Sequence, residues 1–556
     1  MLFFLLIILT FSCIAGGGYF CWTSALLSIV LLIAIIFVLV RVDTYHISCD
    51  LNLAAITVLA LGYFITGLWA VDSGMSLMGG IKFLPVCLFF FLMCQALDQR
   101  ERLICFLPVM GSLMTIISIV MRQIPQLRTY VVVARRLAGF FQYPNTYALF
   151  MLICLLISLF QIDMKKADWQ AVIHIVIALL GIYLSGSRTV MVLAACTVLL
   201  VLILKKELRK YGILCLLVFV ILMTVLAFYG YGDGIISRML PTAKNSSTFW
   251  GRLLYAQDAV KMIVAHPFGM GYYGYYFVQQ EIQTGVYSVV NVHNGLLQIM
   301  LDIGVLPALL LYGAIIRSII SNKLSVRNRV ILAVTMLHSL FDFDLQFLAI
   351  YFIVLLFLEL RNVKEIKTSM SAKASAGIIL IITSVLSVMV GISDYFYING
   401  KPKQATRFYD GNTMAKIDLL NQAADEEEME RLADSILESN SHVSVAYSAK
   451  ARVEFSKGDV EKFIKYKLTA IRLAPYQYDE YTDYLDSLAY CTELYLQGND
   501  MESAGFCVKM AEEVPDMLEN VKKKTSSFGW KIVDRPEVTL SEDDLELIEE
   551  MRGWVR

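Results

Sequence analysis

Trp250-Gly251-Arg252, then His266-Pro-Phe-Gly-Met-Gly-Tyr-Tyr-Gly274, then His293-Asn294-Gly295 punctuate the stretch from Tyr231 to Leu301. Residues 231–292 read as a polar loop, with His293 at the head of an apolar helix. Nearly all the rest of the first 400 residues is compatible with hydrocarbon, so an insertion this long and polar is more than a connector. It reads as half of an active site.

The surroundings follow from composition. Of 556 residues, 58% are hydrophobic and only 17% charged, whereas soluble domains carry about a quarter charged residues. That excludes a soluble globular protein and predicts an all-α polytopic membrane protein. The net charge of −1 hides an asymmetry, because acids crowd the segment after Asn399 while the apolar part carries mostly Lys and Arg. Eleven cysteines lie mostly in apolar runs without CxxC or ligand spacing, and read as small core hydrophobes.

A membrane helix needs about 20 mostly apolar residues. That rule predicts thirteen spans, near 2–17, 22–40, 51–70, 82–97, 103–121, 146–162, 169–186, 189–204, 211–230, 293–317, 329–343, 346–360 and 375–397. Arg41, Arg100 with Arg102, Lys165 with Lys166, Lys205 to Lys210, Lys323 with Arg327 and Arg329, and Arg361 with Lys364 and Lys367 fall in alternate loops. The positive-inside rule makes those loops cytoplasmic. The N-terminus is then cytoplasmic, and 231–292 and everything after about residue 398 are extracytoplasmic.

Basic residues on the outer side need another reason to be there. They are Arg122, Arg128, Arg135 and Arg136 ahead of Pro144-Asn145, Arg188 in Ser185-Gly-Ser-Arg188, and Arg238, Lys244, Arg252 and Lys261. Arg188 sits at the turn of a tight hairpin between two apolar spans, where an unpaired cation is expensive. Either it snorkels or pairs with an acid, or Arg188 and Arg252 together grip a diphosphate with forks that lysine lacks. His293 falls at the outer surface, and its near-neutral titration suits it to take a proton from a hydroxyl; the plain alternative is a structural interfacial histidine. His338, Asp342 and Asp344 mark the outer end of a later span, where Asp342 orients a histidine, anchors an arginine or marks the water boundary. No metal-ligand spacing stands out.

After Asn399 the chain turns soluble, acidic and helical. Gly458-Asp459 leads to Ala470 and Pro475, and Gly498-Asn-Asp500 leads to Ala511 and Pro515. This is close to tetratricopeptide grammar, although the repeat exceeds 34 residues; an ordinary helical bundle is the alternative. Asp425-Glu-Glu-Glu428 reads as a solvated helix face or linker. The domains expected are 1–397 in the membrane, with the extracytoplasmic 231–292 loop inside it, and 401–556 outside.

Four pieces in order, Gly139-Phe-Phe-Gln-Tyr-Pro-Asn145, Ser185-Gly-Ser-Arg188, Arg252 ahead of His266-Pro-Phe-Gly-Met-Gly271, and His293-Asn294 with Leu297 and Gly304, resemble the O-antigen ligase and polymerase family of bacterial envelope enzymes. The resemblance covers roughly residues 120–345. It implies a GT-C type glycosyltransferase bundle in the cytoplasmic membrane, a polyprenyl-diphosphate-linked glycan donor, inversion at the anomeric carbon, and no metal or other cofactor. By position it places the diphosphate-binding arginines on Arg188 and Arg252 and the catalytic histidine on His293, with Arg136, Asn145, Asn294, His338 and Asp342 as supporting candidates. The simplest ligases lack the 401–556 domain, so the acceptor (glycan, lipid or protein) and an envelope partner for that domain stay open; nothing points to nucleic acid. The rival readings are a transporter or lipid-linked glycan flippase and a non-catalytic envelope scaffold, neither of which requires the outer Arg/Arg/His set.

Overall fold

The computed structural model describes residues 1–162, 168–205, 221 and 243–556. The chain is a helical multi-pass membrane protein. Among the described residues, six helices are long and apolar enough to cross a membrane: Cys21–Arg41, Leu51–Leu68, Ser73–Cys94, Leu97–Gln123, Pro144–Gln161 and Lys373–Ile398. Leu2–Ile14, Trp169–Ser185, Arg188–Leu204, Val305–Ile320 and Leu348–Phe357 are shorter apolar helices. The expected span at 211–230 lies outside the described residues, as do Arg238 and most of the 206–242 segment.

Local chemistry starts these helices where it should. Asp50 accepts from the backbone N–H of Asn52 and Leu53, Asp72 from Met75, and Pro144 fills the first turn of its helix, each satisfying or removing a donor that a helix start leaves orphaned. Pro144–Gln161 and Leu348–Phe357 form the centre of the apolar core. All ten residues of Leu348–Phe357 are buried. At 1.5 Å per residue it is about 15 Å long, half the hydrocarbon thickness, so the expected span over 346–360 is instead a short helix walled in by its neighbours.

Several expected basic loops do share one face. Residues Thr44–Ser48 pair antiparallel with Val363–Lys367, Arg100 donates to the carbonyls of Leu356 and Leu358 at 2.5 Å each, Arg317 pairs with Asp50 at 3.3 Å, and Arg327 pairs with Glu101. On the other face sits the 401–556 unit, where the Tyr409 hydroxyl donates to the Gly74 carbonyl at 2.8 Å and Arg472 pairs with Glu281 at 2.5 Å. That unit stacks helical hairpins, Ser444–Ser456 on Val460–Leu473 and Tyr478–Gln497 on Met501–Glu512. The recurring aspartates of the Gly-Asp and Gly-Asn-Asp turns cap the second helix of each, Asp459 accepting from Lys462 at 3.1 Å and Asp500 from Ser503 at 3.0 Å. Asp425 likewise caps Glu426–Ser439, which places the acidic run where the helix dipole favours it.

Three further expectations are corrected. Residues 231–292 are not a plain loop: they contain the helices Ala243–Ala265 and Gly274–Ile282. The span expected from residue 82 begins at Ser73, with Lys82 buried inside the helix rather than marking its edge. The span expected over 293–317 is broken at Gly304 into Gly295–Ile303 and Val305–Ile320. The Gly/Tyr-rich segment lies against that break. Met270 N–H donates to the Leu301 carbonyl at 2.7 Å, Gly271 to Asp302 at 2.9 Å, and Val305 to Pro267 at 2.9 Å, so backbone groups freed by the interruption find partners in a second chain segment.

Gly304 has φ +97°, and a Cβ there would lie 2.8 Å from the Phe268 carbonyl carbon. Gly304→Ala should therefore lower the unfolding midpoint in detergent, at a cost of at least about 1–3 kcal/mol. Gly313→Ala, where an added Cβ meets nothing within 4 Å, should be neutral or stabilising. Equal midpoints for the two variants would contradict this origin of the break.

Candidate functional site

Asp342 is the meeting point. It lies in the connection between Val326–Ser339 and Leu348–Phe357, its side chain 1% exposed, and each carboxylate oxygen serves a different group. His293 Nδ1 lies 3.1 Å from Oδ1, and Arg252 Nη2 lies 3.2 Å from Oδ2. Tyr143 adds its hydroxyl to Oδ1 at 2.8 Å, the Asn145 amide donates to Oδ2 at 2.7 Å, and the Phe343 N–H donates to Oδ1 at 3.0 Å. Burial alone would raise the Asp342 carboxyl; the hydrogen bond from His293, with the Arg252 guanidinium, holds it well below the usual carboxylate range.

An ionised carboxylate only accepts, so the bond to Asp342 assigns the His293 proton to Nδ1 and leaves Nε2 as the acceptor. The ring is 22% exposed and flanked by Tyr255 (ring centroids 6.0 Å apart) and Phe343 (5.1 Å). Arg252 projects from the Ala243–Ala265 helix, its side chain 24% exposed. Its Nε–H is buried with no acceptor among the described residues, so the guanidinium has donor capacity to spare for an anion.

A second chain of bonds ties the hub to the Arg188 turn. Arg136 donates through Nη2 to Asn145 Oδ1 at 2.5 Å and through Nε to the Ser185 carbonyl at 2.6 Å. Arg136 follows a two-residue turn in which Ala134 and Arg135 both have positive φ, a conformation that costs non-glycine residues. Arg188 opens the next helix with its side chain exposed. The structure thus brings His293, Arg252, Asp342, Asn145 and Arg136 into one bonded set and leaves Arg188 at the turn that Arg136 holds.

Asn294 and His338 have other work. Asn294 caps Gly295–Ile303, accepting from Leu297 at 3.0 Å and donating to the Leu340 carbonyl at 2.9 Å, which fixes the entry of the helix that follows His293. His338 is 1% exposed and bonded to Asp344 at 2.5 Å, with Thr146 on the other Asp344 oxygen at 2.8 Å. It is a buried brace and does not open on the site. Sequence reasoning passed over Tyr143 and Tyr255. Tyr143 stood inside the quoted Gly139–Asn145 motif, immediately before the helix-opening proline, and that position was its only signal.

The depressed Asp342 carboxyl contributes stability above the unfolded-chain value of about 4 and loses it as pH falls below that value. Asp342→Asn cannot ionise. It should be less stable than wild type at pH 7 by about 2–3 kcal/mol, with the gap narrowing progressively as pH falls below about 5. A gap independent of pH, measured by thermal unfolding in detergent, would remove the carboxylate from this role.

No curated protein and no solved structure matches the chain. Residues 173–312, about a quarter of the chain, match a family model described as O-Antigen ligase. The matched stretch contains Arg188, Arg252 and His293 and stops short of Asp342, so the part of this protein similar to O-antigen ligases is the part that carries the exposed arginine, the hub arginine and the hub histidine.

Proposed function

We propose that the protein is a metal-independent, inverting glycosyltransferase that ligates or polymerises glycan from a polyprenyl-diphosphate donor at the extracytoplasmic face of a bacterial cytoplasmic membrane. The observation that carries this reading is the Asp342 carboxylate, which holds a general base and a cation side by side at one end of the bundle. Such a donor already bears its leaving group. The protein then has to place an acceptor hydroxyl, remove its proton and balance the departing diphosphate.

His293 Nε2 takes the proton of the acceptor hydroxyl as its oxygen attacks the anomeric carbon from the face opposite the diphosphate. The carbon–oxygen bond to the diphosphate breaks, and the charge that develops on the leaving oxygen meets the Arg252 fork, with Arg188 completing the grip. Asp342 does not change protonation; it fixes the imidazole tautomer and stabilises the imidazolium. General base action of this kind is worth about 10²- to 10⁴-fold, and stabilising the leaving charge a comparable factor. Membrane anchoring of the donor adds proximity. The match to an O-antigen ligase model over 173–312 supports the same reaction class.

The basic face formed around Thr44–Ser48 and Val363–Lys367 is the cytoplasmic one on this reading, and the 401–556 unit is a tetratricopeptide-like domain outside. His293→Ala should slow transfer from a polyprenyl-diphosphate-linked glycan by about 10²- to 10⁴-fold while binding of undecaprenyl diphosphate to the purified protein changes little. Near-normal turnover in His293→Gln, which can donate but cannot take a proton at neutral pH, would rule out the base assignment.

A further inference from the structure

Two residues before Arg252, Trp250 is gripped by the C-terminal unit. Its ring stacks on Phe528, with centroids 5.7 Å apart and planes at 23°, and the Lys531 ammonium lies 4.2 Å over it. Leu254, Tyr287 and Ile532 form a small buried cluster against the same rings. Hydrogen bonds close the seam on both sides, from Val533 N–H to the Ser247 hydroxyl Oγ at 2.9 Å and from Ser526 N–H to the Thr284 carbonyl at 2.9 Å. Gly285 and Gly529 approach so closely that a Cβ on Gly285 would lie 2.7 Å from Gly529 Cα. Burial, then the neighbouring Asp534 carboxylate, pushes up the phenol of Tyr255, the ring beside His293, so the seam reaches the edge of the site.

Helix geometry turns this seam into a positioning device. Side chains two apart on a helix point about 200° around its axis from one another, so Trp250 faces the C-terminal unit while Arg252 faces Asp342. The Ala243–Ala265 helix is pinned from behind at the turn that delivers the guanidinium. Asp342 fixes one of its nitrogens, and a displacement of about 1 Å in such a group can cost 10²-fold.

We infer that residues 526–533 are a clamp that sets Arg252 for diphosphate binding, which makes the C-terminal unit a working part of the donor site. The inference rests on the donor-site reading of Arg252, and Phe528 and Lys531 are positioning residues that do not touch the donor. The test uses the full-length protein in detergent and its affinity for undecaprenyl diphosphate, with unfolding midpoints measured alongside. Phe528→Ala should weaken binding about tenfold, and Phe528→Tyr, which restores the ring, should stay within about twofold of wild type.

In an Arg252→Lys background the Phe528→Ala effect should shrink to under about twofold, because neighbours acting through one group are not additive. Lys531→Met, which removes only the cation over Trp250, should give about a threefold loss and serves where Phe528→Ala does not fold. Wild-type affinity in these clamp variants, or an equal loss in both backgrounds, overturns the clamp. An Arg252→Lys protein that itself binds as wild type overturns the donor-site reading beneath it.

Discussion

A buried carboxylate shared between an arginine and a histidine sets conditions that much of the surrounding structure meets. Removing an ion from water costs several kcal/mol even after relaxation, and Asp342 is repaid by five donors from four separate stretches of chain: Tyr143 and Asn145, Arg252, His293, and its own neighbour Phe343. None of these groups can shift without leaving the charge undercompensated. A base and a cation on flexible side chains are thereby held in fixed relation at the end of an apolar bundle, where a membrane-anchored substrate would present its head group.

The second constraint is the interrupted helix behind His293. An unbroken span over 293–317 would leave no free backbone groups for the Pro267–Gly271 segment to bond to. Because Gly304 interrupts it, the Pro267–Gly271 segment docks by backbone bonds and by packing Met270 against Leu301 and Val305, and this anchors the connection between the Arg252 helix and the His293 turn. Asp258 adds to the same framework: fully buried, it accepts from Thr284 N–H at 2.8 Å and from the Tyr287 hydroxyl at 3.2 Å. The site is therefore carried by a braced insertion whose outer surface is the seam with the C-terminal unit.

Hydrophobic composition and charge alternation made the membrane bundle, the clustering of several basic loops and the C-terminal helices legible, because those properties act locally along the chain. Arg252 and Arg136 were legible as basic residues on the side the positive-inside rule leaves unexplained, and Asn145 and His293 as polar residues at the outer ends of expected spans. Asp342 was legible as a residue that orients a histidine or anchors an arginine, but not as the one carboxylate that does both. Asp342 meets His293, Arg252 and Tyr143 across 49, 90 and 199 residues, and no periodicity reports contacts at such separations. The helices within 231–292 escaped notice because a polar helix lying outside hydrocarbon carries no span signal. The break at Gly304 was hidden because the apolar run continues through it, and it is packing against Phe268 that distinguishes this glycine from Gly313.

The most direct measurement is a cryo-EM structure of the full chain with undecaprenyl diphosphate bound. The account predicts diphosphate oxygens at charge-assisted hydrogen-bond distance, about 2.7–2.9 Å, from the Arg252 guanidinium, with His293 still bonded to Asp342. Diphosphate seated instead in the basic cleft of Arg100, Lys323 and Arg361 on the opposite face, with the Arg252 fork untouched, would contradict it.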